Sequence, residues 1–94
     1  EIPGIVDDIS AGGIKLITEY KLELGQLLDL DLGFINADFE AILGQVLRVQ
    51  KITKDNDKRY EVGVEFLGLG NSERDDLMKW LFAKQRELRK KGLI

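Results

Sequence analysis

Tyr60-Glu61-Val62-Gly63-Val64-Glu65-Phe66 runs into Gly68-Leu69-Gly70-Asn71, and Ser72-Glu73-Arg74-Asp75-Asp76-Leu77 follows; the change of period across these residues sets the fold. In the first run Tyr60, Val62, Val64 and Phe66 alternate with Glu61, Gly63 and Glu65, the pattern of a strand with one buried and one wet face. The two glycines interrupt it. Beyond them Leu77, Trp80, Leu81 and Leu88 fall on one face at helical spacing, and Met78 and Phe82 widen that face. Ser72 reads as the N-cap of this helix with Asp75 at N3 in a capping box. Glu73, Asp75 and Asp76 complement the positive end of the helix dipole. Gly92 reads as the C-terminal stop, giving a helix over about 73–91.

Working back from Phe66, the chain is strand-like from about residue 4 to residue 67. Gly4-Ile5-Val6-Asp7-Asp8-Ile9 enters a polar loop, Ser10-Ala11-Gly12-Gly13, and Ile14-Lys15-Leu16-Ile17-Thr18 leaves it. Leu28, Leu30 and Leu32 alternate with Asp29 and Asp31. Phe39-Glu40-Ala41-Ile42-Leu43 and Val46-Leu47-Arg48-Val49 flank Gly44, where a bulge or bend is expected. Lys54-Asp55-Asn56-Asp57-Lys58 reads as a hairpin turn. Short antiparallel strands followed by one long amphipathic helix predict a mainly β chain, a small antiparallel β-barrel with a C-terminal helix packed against it. Residues 1–94 are expected to form one domain, in which the helix completes the core. At about 25 cal/mol per Å² of apolar area, burial of one Trp and three Leu contributes several kcal/mol.

The composition narrows the chemistry. The 94 residues contain no cysteine and no histidine, which removes disulfides, thiolate zinc sites, cysteine nucleophiles and serine–histidine relays. Catalysis is not expected. No apolar run approaches the ~20 residues that span a membrane, so no insertion is expected and a cytoplasmic address is. The net charge of −3 is unevenly spread: residues 79–91 hold six cations against Glu87, and the rest of the chain carries eight cations against sixteen carboxylates. The basic end suits a helix C-terminus, or an acidic partner. The acidic body argues against DNA or RNA as partner.

Most of the carboxylates have simple readings. Asp29 and Asp31 share a face if both lie on a strand, a geometry able to hold a cation, but a wet strand face accounts for them more simply. Asp55-Asn56-Asp57 starts like a calcium loop, yet its sixth position is Tyr60 where glycine is needed. Gly68-Leu69-Gly70 lacks the third glycine and the βαβ setting of a dinucleotide fingerprint. Asp8-Ile9-Ser10-Ala11-Gly12-Gly13 is different. It puts a carboxylate and a hydroxyl two residues apart ahead of two glycines, at a strand-to-strand connection. A carboxylate accepts two parallel hydrogen bonds, as a guanine N1–H and N2–H edge offers them; serine donates or accepts; glycine lets a ligand approach the backbone. The alternative is an ordinary Asx or Ser turn whose glycines supply positive φ.

Asp8-x-Ser10-x-x-Gly13 followed by Ile14-Lys15-Leu16 resembles the second signature of PilZ domains, bacterial receptors for cyclic di-GMP. Gly44-Gln45-Val46-Leu47-Arg48-Val49 and Tyr60-Glu61-Val62-Gly63-Val64-Glu65-Phe66 resemble the family's mid-barrel and last strands. Trp80-Leu81-Phe82-x-Lys84-Gln85-Arg86-Glu87 is similar to the C-terminal helix of its flagellar brake branch. The resemblance implies that Asp8 and Ser10 recognise guanine, that Gly13 allows close packing of the dinucleotide, and that no cofactor is needed. It implies cyclic di-GMP and flagellar motor proteins as partners, with slower swimming as output. One departure is plain. The family's R-x-x-x-R motif, whose arginines stack on guanine and pair with phosphate, precedes the Asp-Ser-Gly signature, and Glu1 to Asp7 contain no Arg or Lys. The chain, which opens on Glu1, is therefore read as a C-terminal fragment whose arginines and first strand lie upstream. The alternative is a degenerate domain that binds no dinucleotide and docks a protein partner through its barrel or basic helix.

Overall fold

The computed structural model describes residues 4–35, 39–52 and 58–90, the last six of these as backbone. Five strands precede one helix: β1 (Ile5–Ile9), β2 (Gly13–Thr18), β3 (Leu27–Leu30), β4 (Ile42–Ile52), β5 (Arg59–Phe66) and α1 (Asn71–Lys90). All pair antiparallel in a single sheet of order β1-β2-β5-β4-β3. The mainly β reading with a C-terminal helix holds, but the sheet is not a closed barrel. Its edges β1 and β3 are short strands that are not paired with each other among the described residues. They nevertheless line one cleft of about 560 Å³, together with Ile14 and Leu16, so the sheet wraps towards closure and stops short of it.

The alternation along β5 is borne out. Val62, Val64 and Phe66 are buried, and with Ile14, Leu30, Ile42 and Val46 they form the core face of the sheet. Leu22, Leu32 and Phe39 close the core from the connections, where the Leu32 N–H donates to the Phe39 carbonyl at 2.8 Å. Phe39 is thus a buried plug before β4 rather than part of a strand. α1 contributes Leu77, only 1% exposed, with Trp80 and Leu81 half-buried beside it. Trp80 meets Phe34 edge-on, ring centroids 5.9 Å apart. Phe82, assigned to the apolar face, is instead largely exposed.

Three local expectations change. The helix begins at Asn71 and is capped by Gly70, whose carbonyl accepts the Arg74 N–H at 3.0 Å; Glu73 Oε1 accepts the Gly70 N–H at 3.2 Å. The capping box therefore sits two residues earlier than Ser72 and Asp75, with a glycine cap and the preferred Glu at N3. The irregularity in β4 falls not at Gly44 but at Leu47, between Val46 and Arg48. Gly44 serves packing: a Cβ there would lie 2.6 Å from Val64 Cγ1 and 3.0 Å from Leu30 Cδ1. Asp31 lies beyond β3, where its Oδ1 accepts the Gly33 N–H at 3.0 Å, so Asp29 and Asp31 do not share a strand face. The 54–58 hairpin turn (bar Lys58), Gly92 and the side chain of Leu88 lie outside the described residues.

Candidate ligand-binding groove

A β-bulge decides where Asp8 points. β1 pairs Val6 with Leu16 and Ile9 with Ile14, both on the core face, while Asp7 is the extra residue and Asp8 faces Lys15 on the other side. Without the bulge, Asp8 would share the face of Val6, two residues before it. β4 repeats the device. Val46 pairs with Val64 on the core face, Leu47 is extra, and Arg48 pairs outward with Gly63 while Val49 returns to face Val62. Since Lys15 also pairs with Gly63, one row crosses the outer face of the sheet: Asp8, Lys15, Gly63, Arg48.

The Ser10–Gly13 connection forms one end of this row. The Ser10 N–H donates to the Gly13 carbonyl at 2.9 Å, and Ser10 Oγ reaches the same oxygen at 3.4 Å. Asp8 Oδ1 accepts the Ile9 N–H at 3.0 Å. The loop is fastened from outside at two successive carbonyls: Gly12 accepts the Phe66 N–H, and Ala11 accepts Arg74 Nη1, each at 3.0 Å. Asp8 and Ser10 are exposed, so side-chain polar atoms of both lie at the surface. Gly13 has a different reason from the one its spacing implies. A Cβ there would run into the Val64 carbonyl oxygen across the β2–β5 pair, so the close approach is between strands. Neither Gly12 nor Gly13 has positive φ; among the described glycines that conformation belongs to Gly25, at +82° in the turn leading to β3.

Asp8, Ser10, Gly13, Lys15, Arg48, Gly63 and Glu65 line one open groove of about 550 Å³, within the range of roughly 300–1,000 Å³ typical of small-molecule sites. Its electrostatics lean negative. Lys15 Nζ lies 3.2 Å from Asp7 Oδ2 and 3.9 Å from Glu61 Oε1, and Arg48 Nη2 lies 3.3 Å from the same Glu61 oxygen. The two cations are therefore already matched by carboxylates, and Asp8 and Glu65 add two more. These are part-exposed pairs, each worth about 0–1 kcal/mol, and an incoming anion can displace them.

Lys15, Arg48 and Gly63 enter the site without having been singled out by the sequence reading. A model of the PilZ domain family matches residues 1–83. The chain belongs to the PilZ family. PilZ domains are generally binding and effector domains for cyclic di-GMP rather than enzymes. A comparison with curated proteins finds no match. Within this PilZ domain, the structure brings Asp8, Ser10 and Gly13 together on one groove, and no described helix is long and apolar enough to cross a membrane.

Proposed function

We propose that this PilZ domain is a receptor for cyclic di-GMP in which Asp8 and Ser10 read guanine and the groove along Lys15, Gly63 and Arg48 receives the rest of the ligand. One observation carries the reading: the residues of the Asp-Ser-Gly signature and two cations line a single open groove on the outer face of the sheet. Asp8 offers a carboxylate to the guanine edge, Gly63 keeps the floor flat, and Lys15 and Arg48 stand where phosphodiesters need counter-charge.

The charge balance supports the need for further cations. A cyclic dinucleotide brings two phosphodiester charges to a groove whose cations are matched by Asp7 and Glu61. An upstream segment bearing the R-x-x-x-R arginines supplies them in this reading, and the cleft between the β1 and β3 edges gives its strand a place to pair. Ordering that segment on ligand binding reorients the domain against a neighbour. In the flagellar brake branch the neighbour is the flagellar motor, in the cytoplasm, and the output is slower swimming.

The test is isothermal titration of cyclic di-GMP into this chain and into one extended upstream by ~25–30 residues of its gene, enough for a strand at about 3.3 Å per residue and the arginine motif. Binding by the extended chain, weakened about ten-fold or more by Asp8→Ala, is expected. Tight binding that survives Asp8→Ala overturns the site. Failure of both chains to bind favours the second reading, a PilZ domain without ligand that docks a protein partner. The matched charges of the groove are the observation on its side.

A further inference from the structure

Arg74 stands in an unfavourable place for its charge. It follows Glu73 at the end of the first turn of α1, where the exposed N–H groups repel cations. What it does there is visible: its guanidinium, half-buried, donates from Nη1 to the Ala11 carbonyl at 3.0 Å, across 63 residues of sequence. Ala11 lies between Ser10 and Gly13. The loop is closed at its base by the Ser10 N–H bond to the Gly13 carbonyl at 2.9 Å, and little else within it holds the Ala11–Gly12 tip. An added Cβ at Gly12 would meet nothing within 4 Å, and the Ser10 hydroxyl bond is long at 3.4 Å. Its outside fastenings are the Phe66 N–H, at the end of β5, and Arg74, at the start of α1.

Resting on the cyclic di-GMP reading above, we propose that Arg74 is a positioning residue for the Ser10–Gly13 loop, and that through it occupancy of the groove is transmitted to the first turn of α1. Arg74 touches no ligand in this scheme. It fixes the Ala11 peptide, and with it the relation between the Ser10 hydroxyl and Asp8. Coupling of this kind is reciprocal: if holding the loop favours the ligand, the ligand favours the hydrogen bond and steadies the helix start.

The experiment compares wild type with Arg74→Ala, Arg74→Lys and Glu73→Ala in the upstream-extended chain described above. Cyclic di-GMP titration is combined with hydrogen exchange of residues 71–77 and of Gly12 and Gly13. Arg74→Ala is expected to weaken binding on the order of ten-fold, the lower end for a hydrogen bond to a charged group. Arg74→Lys, which keeps a donor, restores most of the loss. Glu73→Ala removes the helix cap without touching Ala11 and, acting through the coupling alone, is expected to weaken binding less than Arg74→Ala does, which separates positioning from general loosening of α1. Without ligand, Gly12 and Gly13 exchange faster in Arg74→Ala. With ligand, residues 71–77 are protected in wild type and not in Arg74→Ala. A wild type that binds while Arg74→Ala binds equally well, or shows the same protection of residues 71–77, overturns this inference alone. A wild type that binds no dinucleotide overturns the ligand reading and this inference with it.

Discussion

Asp8 on β1 and Arg48 on β4 stand at the two ends of one row across the outer face of the sheet, and each is the residue immediately after a β-bulge. The bulges do the same thing at both ends: they turn outward a polar side chain that regular alternation would send to the core face. Between the two lie Lys15 and Gly63, a cation and a bare patch of backbone. The row puts an acceptor, two cations and a flat floor in line, which is what the proposed dinucleotide site requires.

Asp8→Ala and Arg48→Ala are expected to act on affinity and not on stability. Both side chains are exposed, and substitutions of this kind usually change stability by no more than about 0.5 kcal/mol. Each is expected to weaken cyclic di-GMP binding by about ten-fold or more, as a charge-assisted hydrogen bond is lost. Titration paired with thermal melts checks this; a variant that melts early would place the residue in the fold instead.

Glu61→Gln is expected to strengthen binding of the anionic ligand. The Glu61 carboxylate is shared by Arg48 at 3.3 Å and Lys15 at 3.9 Å, so it competes with phosphate for both. Stability is expected to move by less than about 1 kcal/mol, because part-exposed pairs contribute little. The gain is a few-fold at low salt and shrinks towards ~0.15 M, where charges are screened over about 8 Å. Weaker binding by Glu61→Gln at low salt would mean that Glu61 holds the cations in place for the ligand.

The bulges also explain how far the sequence could be read. Alternation in β5 was legible because Tyr60 to Phe66 pairs without interruption on both sides of Gly63, apart from the bulge opposite in β4. Asp8, Ser10 and Gly13 were legible as a local pattern. Arg48 was not, because counting by two from Val46 assigns it to the core face, and the extra residue Leu47 reverses that parity. Leu47, at 59% exposed, looks in the sequence like any core leucine. Arg74 was hidden for another reason: its partner Ala11 offers only a backbone carbonyl, which carries no signature.

The register of the helix cap gives a second stability test. Ser72 lies inside the helix, so Ser72→Ala is expected to be neutral or slightly stabilising, since alanine is the better helix former. Glu73→Ala loses the bond to the Gly70 N–H and a carboxylate at the positive helix end, and is expected to cost about 0.5–1 kcal/mol. Chemical denaturation of the two variants discriminates the caps; a loss at Ser72 and none at Glu73 would restore the later start.

Gly12 and Gly13 offer the sharpest separation of fold from site, because they are neighbours with opposite surroundings. At Gly13 a Cβ runs into the Val64 carbonyl, a backbone atom fixed in the middle of the sheet, and the nearest Val64 carbon would be only 3.2 Å away. Gly13 pairs with Glu65, so β2 must shift against β5 to make room. Overpacking of this kind costs about 1–3 kcal/mol, and in a domain of this size each kcal/mol lowers Tm by about 4–8 °C. At Gly12 the same methyl meets nothing within 4 Å, and the backbone is not in the left-handed region. Gly12→Ala is therefore expected to melt within about 0.5 kcal/mol of wild type, or slightly above it, since alanine restricts the unfolded chain. Thermal melts without ligand decide the matter. Should Gly13→Ala melt like wild type, strand packing is not what requires the glycine, and its place in the signature passes to the ligand. Should it melt early as expected, a loss of cyclic di-GMP binding in Gly13→Ala says nothing about contact, and Gly12→Ala, with its fold intact, becomes the variant that measures how closely the dinucleotide approaches the loop.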